Sequence, residues 1–141
     1  MPAGLIMRTP VFLILCSLPA AAAAATFDWQ VYQRGNALEL AVDRNSVQRQ
    51  ADGLIRFINQ ERFAEPQFDR GYKVRFSIRR TTVYADCKQG RYALVSSDFY
   101  SASNKSVWST MYPVPRYAWK WQDADDESVA AAMMAAVCPN P

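Results

Sequence analysis

The clearest pattern in the chain is an alternation of apolar and polar residues between Tyr72 and Ala85. Successive side chains of a β-strand point to opposite faces of the sheet, so this period of two predicts a strand. The set expected on the core is Tyr72, Val74, Phe76, Ile78, Arg80, Thr82 and Tyr84. The set expected in water is Lys73, Arg75, Ser77, Arg79, Thr81 and Val83.

Shorter alternating segments predict further strands over residues 27–33, 38–42, 54–63, 91–100 and 105–111. Turn residues separate them. Asp43 to Val47 reads as a turn capped by its own side chains, and Pro66 is expected to break the strand that begins at Leu54. Together these segments predict a meander of about six antiparallel strands.

The alternating pattern ends in the last part of the chain, after residue 111. Pro113 and Pro115 exclude a regular central strand, so residues 112–121 are predicted to form an irregular aromatic segment. The acidic run of residues 123–127 is expected to start a helix that Pro139 ends. Its apolar stripe is Val129, Met133, Met134 and Val137. The predicted fold class is therefore α+β, mainly β, with a six-stranded antiparallel sheet and a C-terminal helix packed on one face.

Residues 1–25 have the pattern of a signal peptide: Arg8 is the only charge, an apolar run follows, and small residues precede Thr26. A membrane anchor is the alternative, but Ser17 and Pro19 break the run. Lipidation at Cys16 is not expected because the bulky Leu15 precedes it. We therefore expect a signal peptide over 1–25 and one domain over 26–141, periplasmic or secreted and not a lipoprotein.

Removal of that segment would leave two cysteines, Cys87 and Cys138. Disulfides persist in oxidising compartments, so these two are predicted to join the helix to a strand. The alternative is a pair of unpaired buried thiols. A zinc site is not expected, because two cysteines in a chain without histidine cannot complete a tetrahedral site.

Composition excludes several chemistries. The absence of histidine removes the commonest general base and every Ser-His or Cys-His nucleophile. No nucleotide-binding glycine motif occurs, and the net charge of +3 is too small to predict nucleic acid as the partner. Asp98 or Glu61, together with Asp69, is a formal candidate for the carboxylate pair that hydrolyses a glycosidic bond. Solvated surface charge explains these acids better.

Two surfaces could bind a partner. Lys73, Arg75 and Arg79 are predicted to form a positive stripe, widened by Arg56 and Arg91 on neighbouring strands. The stripe would suit acidic polysaccharide, lipid headgroups or an acidic protein loop; the alternative is an ordinary solvated face. The aromatic residues of 112–121 could form a recognition platform or belong to the core.

Several elements resemble the surface-adhesin protein E family. They are the Asp-Cys-Lys element at 86–88 with its preceding strand, Arg91, Trp119, the terminal-helix Cys138, and the 43–47 and 99–101 turns. The resemblance covers nearly all of residues 26–141. It implies an antiparallel sheet whose C-terminal helix is fixed to the concave face by a disulfide. It also implies a non-enzymatic envelope protein, with some relatives acting as adhesins for host matrix proteins.

The leading hypothesis is thus an exported, non-enzymatic binding module of this type, with an envelope or host protein, acidic in character, as its partner. No membrane span is expected after signal cleavage, and a homodimer is left open. No cofactor is expected, since haem binding, which the resemblance raises, would lack its usual histidine ligand. The alternatives are a structural or accessory subunit of an envelope assembly and, less favoured, a small hydrolase.

Overall fold

A computed structural model describes residues 26–139 and the isolated Gly4; apart from Gly4, the predicted signal peptide lies outside the described residues. The strands are β1 (Trp29–Arg34), β2 (Leu38–Asp43), β3 (Gln48–Arg49), β4 (Ile55–Asp69), β5 (Val74–Asp86), β6 (Arg91–Tyr100), β7 (Ser106–Ser109) and β8 (Gln122–Asp123). One α-helix, α1 (Val129–Val137), follows them in the described part of the chain.

The strands form one antiparallel sheet in the order β1-β2-β4-β5-β6-β7. This path contains the six predicted strands, and the two-residue strands β3 and β8 pair with β4 and β6. The mainly β fold with a C-terminal helix is therefore confirmed. The longest strands, β4 and β5, form a hairpin at the centre of the sheet.

Helix α1 covers one face of the sheet, which we call the helix-side face. Met133, Met134 and Val137 pack there against a buried cluster of strand side chains. The strand members of that cluster are Val42, Ile55, Phe57, Val83 and Ala85. The disulfide between Cys87 and Cys138 is confirmed, with 5.7 Å between the Cα atoms, and it joins the turn after β5 to the end of α1.

The opposite face, which we call the loop-side face, is covered by the irregular segment 112–121. Tyr84 lies between Val83 and Ala85 on β5, so its side chain points away from α1. Its ring centroid lies 4.4 Å from that of Trp119, whose indole nitrogen donates to the Val114 carbonyl. The prediction that this segment is irregular and aromatic is confirmed.

The expected division of β5 into a core face and a water face is wrong at Ser77 and Thr81, which are buried, and in the second half of the strand around Val83. Val83 is fully buried, although the alternation placed it in water. The reason is that both faces of this half are covered, one by α1 and the other by Trp119. Lys73, also expected in the strand, lies instead in the turn before β5, with a left-handed backbone at φ 55°.

The end of β4 and the capping of α1 also differ from expectation. Pro66 does not end β4, because the strand continues to Asp69 and only its pairing with β5 is interrupted, between Arg62 and Gln67. The proline thus lies where no ladder donor is required. The acidic run does not start α1: the Ser128 hydroxyl caps the helix by accepting from the Ala131 amide. Val129, expected in the apolar stripe, is 44% exposed.

Removal of the disulfide should greatly destabilise the domain. The bond closes a loop of 51 residues, and the loss of chain entropy in the unfolded state is worth about 4 kcal/mol for a loop of that length. We expect Cys87→Ala/Cys138→Ala to lower the free energy of urea unfolding by about that amount. Reductant should lower the stability of the wild type to a similar extent and leave the double variant unchanged. A wild type that unfolds identically with and without reductant would contradict this assignment.

A buried hydrogen bond beneath α1 gives a pH-dependent prediction. The Tyr32 hydroxyl donates to Asn59 Oδ1 at 2.6 Å, and burial followed by the nearby Glu61 charge raises the pKa of Tyr32 above its ordinary value of 10.0. The folded state therefore favours the neutral phenol. This contribution is complete below about pH 10 and declines at higher pH, because the unfolded chain releases its proton first.

We expect Tyr32→Phe to lower the free energy of unfolding by about 1 to 2 kcal/mol at neutral pH, since Asn59 loses its donor. The difference between wild type and variant should shrink as the pH rises above about 10. Urea unfolding measured at pH 7, 9 and 10.5 tests both parts, and a difference that grows with alkaline pH would refute the second.

Candidate functional site

The structure distributes the five predicted basic residues over three places. Arg79 lies on the helix-side face, because its β4 partner is Glu61 and both share the face of Phe57. Arg56 and Arg91 lie on the loop-side face, paired with Tyr84 and Asp86. Lys73 and Arg75 lie at the turn that connects β4 to β5. The five residues therefore do not form one continuous stripe.

Two of these arginines form ion pairs within the protein. The Arg79 guanidinium forms an ion pair and hydrogen bond with Glu61, which raises the pKa of Arg79 above its ordinary value. Their side chains are only 32% and 21% exposed. Arg91 donates to Asp86 at 3.3 Å and lies over the Trp121 ring at 4.5 Å. Both cations have partners in the fold, so we assign them primarily to stabilising the sheet.

Lys73 and Arg75, in contrast, are exposed and form no ion pair within residues 26–139. Arg70, at the start of the same turn, shares both properties. The Asp69 carboxylate is turned to the backbone, where it accepts from the Tyr72 amide at 2.9 Å. Three cations therefore remain available to solvent within six residues of chain.

Exposed aromatic rings accompany these charges. Phe68 is 55% exposed and lies directly opposite Arg75 in the pairing of β4 with β5. Tyr72, expected in the core, is 50% exposed and stacks on Trp108 with 4.1 Å between ring centroids. Phe68 and Arg75 point to the face of the hairpin opposite Phe76, whereas Tyr72 packs with the ring cluster that contains Phe76. We define the hairpin-end surface as the exposed residues of the turn and of the two faces beside it: Phe68, Arg70, Tyr72, Lys73 and Arg75.

A rigid base supports the hairpin-end surface. Behind Tyr72, the rings of Phe76, Phe99 and Trp108 meet edge to face, with centroid separations of 4.7 to 5.8 Å. Phe76 and Phe99 are almost fully buried. The exposed ring of Tyr72 is thus held against a packed cluster, which lowers the entropy lost when a partner covers it.

Sequence reasoning identified Lys73 and Arg75 but missed Phe68, Arg70 and Tyr72. Gly71 was a usable signal, since a glycine between two long alternating runs is typical of a hairpin turn. A turn at residues 70–73 would have placed Arg70 and Tyr72 beside Lys73 at the end of the hairpin. The aromatic residues at 112–121 divide between two environments: Trp119 packs on the sheet, whereas Tyr112 and Tyr117 are highly exposed.

Other kinds of site find little support in the described residues. Within 26–139 no three side chains among His, Cys, Asp and Glu are grouped so as to hold a metal ion. Glu61 of the formal carboxylate pair is bound to Arg79. None of the helices that the structure describes is long and apolar enough to cross a membrane.

Comparison with known proteins identifies the class of this sheet-and-helix domain. The family model described as Surface-adhesin protein E matches residues 29–139, nearly the whole of the described domain. The chain therefore belongs to the surface-adhesin protein E family. No curated protein and no solved structure shows significant similarity to the chain.

The different roles of Arg79 and Arg75 can be tested by matched substitutions on one strand. Arg79→Met should lower the free energy of unfolding by about 1 to 2 kcal/mol, because the half-buried Glu61 loses its partner. Arg75→Met should change it by no more than about 0.5 kcal/mol. Equal effects of the two substitutions in urea unfolding would contradict the assignment of Arg79 to the sheet.

Proposed function

We propose that this chain is an exported, non-enzymatic surface protein that binds acidic regions of host matrix proteins through the hairpin-end surface. Its family supports a surface adhesin-like role, and the signal-peptide pattern of residues 1–25 supports export. The observation that carries the choice of surface is the combination of three cations without an acidic partner in the described chain and two half-exposed rings.

The physical basis is that unpaired charge is available for recognition, whereas paired charge is already compensated. Cations at the end of a hairpin attract an acidic partner over about one Debye length, roughly 8 Å at physiological salt. Tyrosine, tryptophan and arginine are enriched among the residues that dominate binding energy. Tyr72 and Phe68 would supply the apolar contact, and Arg70, Lys73 and Arg75 the charge.

The absence of histidine, together with the engagement of Glu61 by Arg79, supports a non-enzymatic role for the domain. A binding protein needs only an exposed, ordered surface. Lys73 and Arg75 at the hairpin end meet that need without any catalytic group.

Charge reversal at the hairpin end is the direct test. We expect Arg70→Glu/Lys73→Glu/Arg75→Glu to weaken binding to immobilised host matrix proteins at least about tenfold, mainly through slower association. Stability should change by no more than about 0.5 kcal/mol, since these side chains have no ion-pair partner to lose. Binding of the wild type should also weaken as salt is raised.

The matched control is Arg49→Glu/Lys88→Glu/Lys120→Glu, which changes the net charge equally at three exposed cations elsewhere in the domain. It should retain most of the binding. Equal loss in both triple variants would show that overall charge acts rather than this surface. Full binding by the hairpin-end variant would refute the proposed surface.

A further inference from the structure

A cavity of about 510 Å³ lies beside the disulfide, away from the hairpin-end surface. Three parts of the chain enclose it: the segment 49–55 that leads into β4, the turn 86–89 after β5, and Pro139 after α1. Its size falls within the range of cavities that bind small molecules, roughly 300 to 1,000 Å³. The disulfide joins two of these walls, since Cys87 lines the cavity and Cys138 precedes Pro139.

Part of the cavity wall is apolar, and the rest is polar or charged. Leu54 and Ile55, both less than a tenth exposed, line it together with Cys87 and Pro139. A ligand that filled this space would therefore bring an apolar body against these residues.

The two carboxylates that line the cavity already have partners within the protein. Asp52 accepts from the Leu54 amide at 3.0 Å and pairs with Arg116, and these contacts, in that order, lower its pKa below the ordinary value. Asp86 accepts from the Gln89 amide at 3.2 Å and from Arg91 at 3.3 Å. Each carboxylate thus has one oxygen on a backbone amide and the other on an arginine.

The two basic side chains that line the cavity have no such ion-pair partner in the described residues. Arg49 and Lys88 both line it, both are exposed, and neither forms an ion pair with a carboxylate of residues 26–139. With Asp52 and Asp86 compensated by their own arginines, these two cations leave an excess of positive charge beside the apolar part of the cavity. A guanidinium and an ammonium suit a carboxylate well, because hydrogen bonds between charged groups are the stronger kind.

We propose that this cavity binds a small amphipathic carboxylate. Arg49 and Lys88 hold its carboxylate group, and its apolar body lies against Leu54, Ile55 and Pro139. The site depends on the disulfide, because that bond keeps Pro139 beside the turn that carries Lys88. Binding at this site is independent of the hairpin-end surface, so either assignment can fail alone.

Octanoate is a suitable probe, followed by amide chemical shifts of the ¹⁵N-labelled protein and by calorimetry. We expect saturable binding, with the largest shifts at Leu54, Ile55 and Lys88. Octylammonium has the same apolar chain and the opposite charge, and acetate has the carboxylate without the chain. Both should bind at least about tenfold more weakly than octanoate, octylammonium because it loses the charge-assisted contact and acetate because it loses the buried chain.

Arg49→Gln/Lys88→Gln should lower octanoate affinity about tenfold or more, whereas the control Lys73→Gln/Arg75→Gln should leave it unchanged. Mild reduction of the folded wild type should also lower the affinity, and the same treatment should leave the amide shifts of the hairpin-end surface in place. Absence of saturable octanoate binding, equal binding of octylammonium, or unchanged affinity in Arg49→Gln/Lys88→Gln would each overturn the proposal.

Discussion

The packing of α1 against the centre of the sheet is the interaction on which the rest of the structure depends. A single sheet has two faces, and strands alone cannot remove both from water. Here α1 buries Val42, Phe57 and Val83 on one face, while the segment 112–121 covers Tyr84 on the other. A helix of nine residues is marginal by itself. The bond between Cys87 and Cys138 therefore holds in place the element that completes the core.

The division of the basic residues into paired and unpaired groups separates stability from recognition. Arg79, Arg91 and Arg116 pair with acids, and the last two also lie over tryptophan rings. Arg80 is enclosed by the rings of Phe27 and Tyr100, each 4.4 Å away. These cations fasten strands and loops to one another. The cations of the hairpin end and of the cavity have no such partner in the described residues, so their charge is available to a ligand.

Much of this fold can be predicted from the sequence because its signals are local. Alternation locates the six main strands, prolines identify the irregular segment, and cysteine placement gives the crosslink. The predictions that failed did so because contacts in the folded protein override the local pattern. Val83 is buried because α1 reaches it from 46 or more residues further along the chain, which no local period reveals. The role expected of the acidic run was wrong because the Ser128 hydroxyl caps the helix and the acids lie before its first turn.

The candidate site was only partly predictable for a related reason. Lys73 and Arg75 follow from alternation and charge alone. Arg79 does not belong with Lys73 and Arg75 because it pairs with Glu61. The sequence alone does not show this pair, since Glu61 lies opposite Arg79 only in the observed register of β4 and β5. Arg56 and Arg91 were grouped with the stripe because the sequence does not show which face of a neighbouring strand a residue shares. The cavity at Arg49 and Lys88 was not predicted, since its walls come from three separate parts of the chain.

The position of Cys138 in the chain has a consequence for the order of events during biogenesis. It follows all eight strands, so its partner Cys87 is made, and would be delivered across a membrane amino end first, long before the second thiol. Until then the central strands lack the cover of α1, and their apolar side chains are open to wrong contacts. In an exported chain the disulfide would therefore form last, and only when α1 has already brought Cys138 to Cys87.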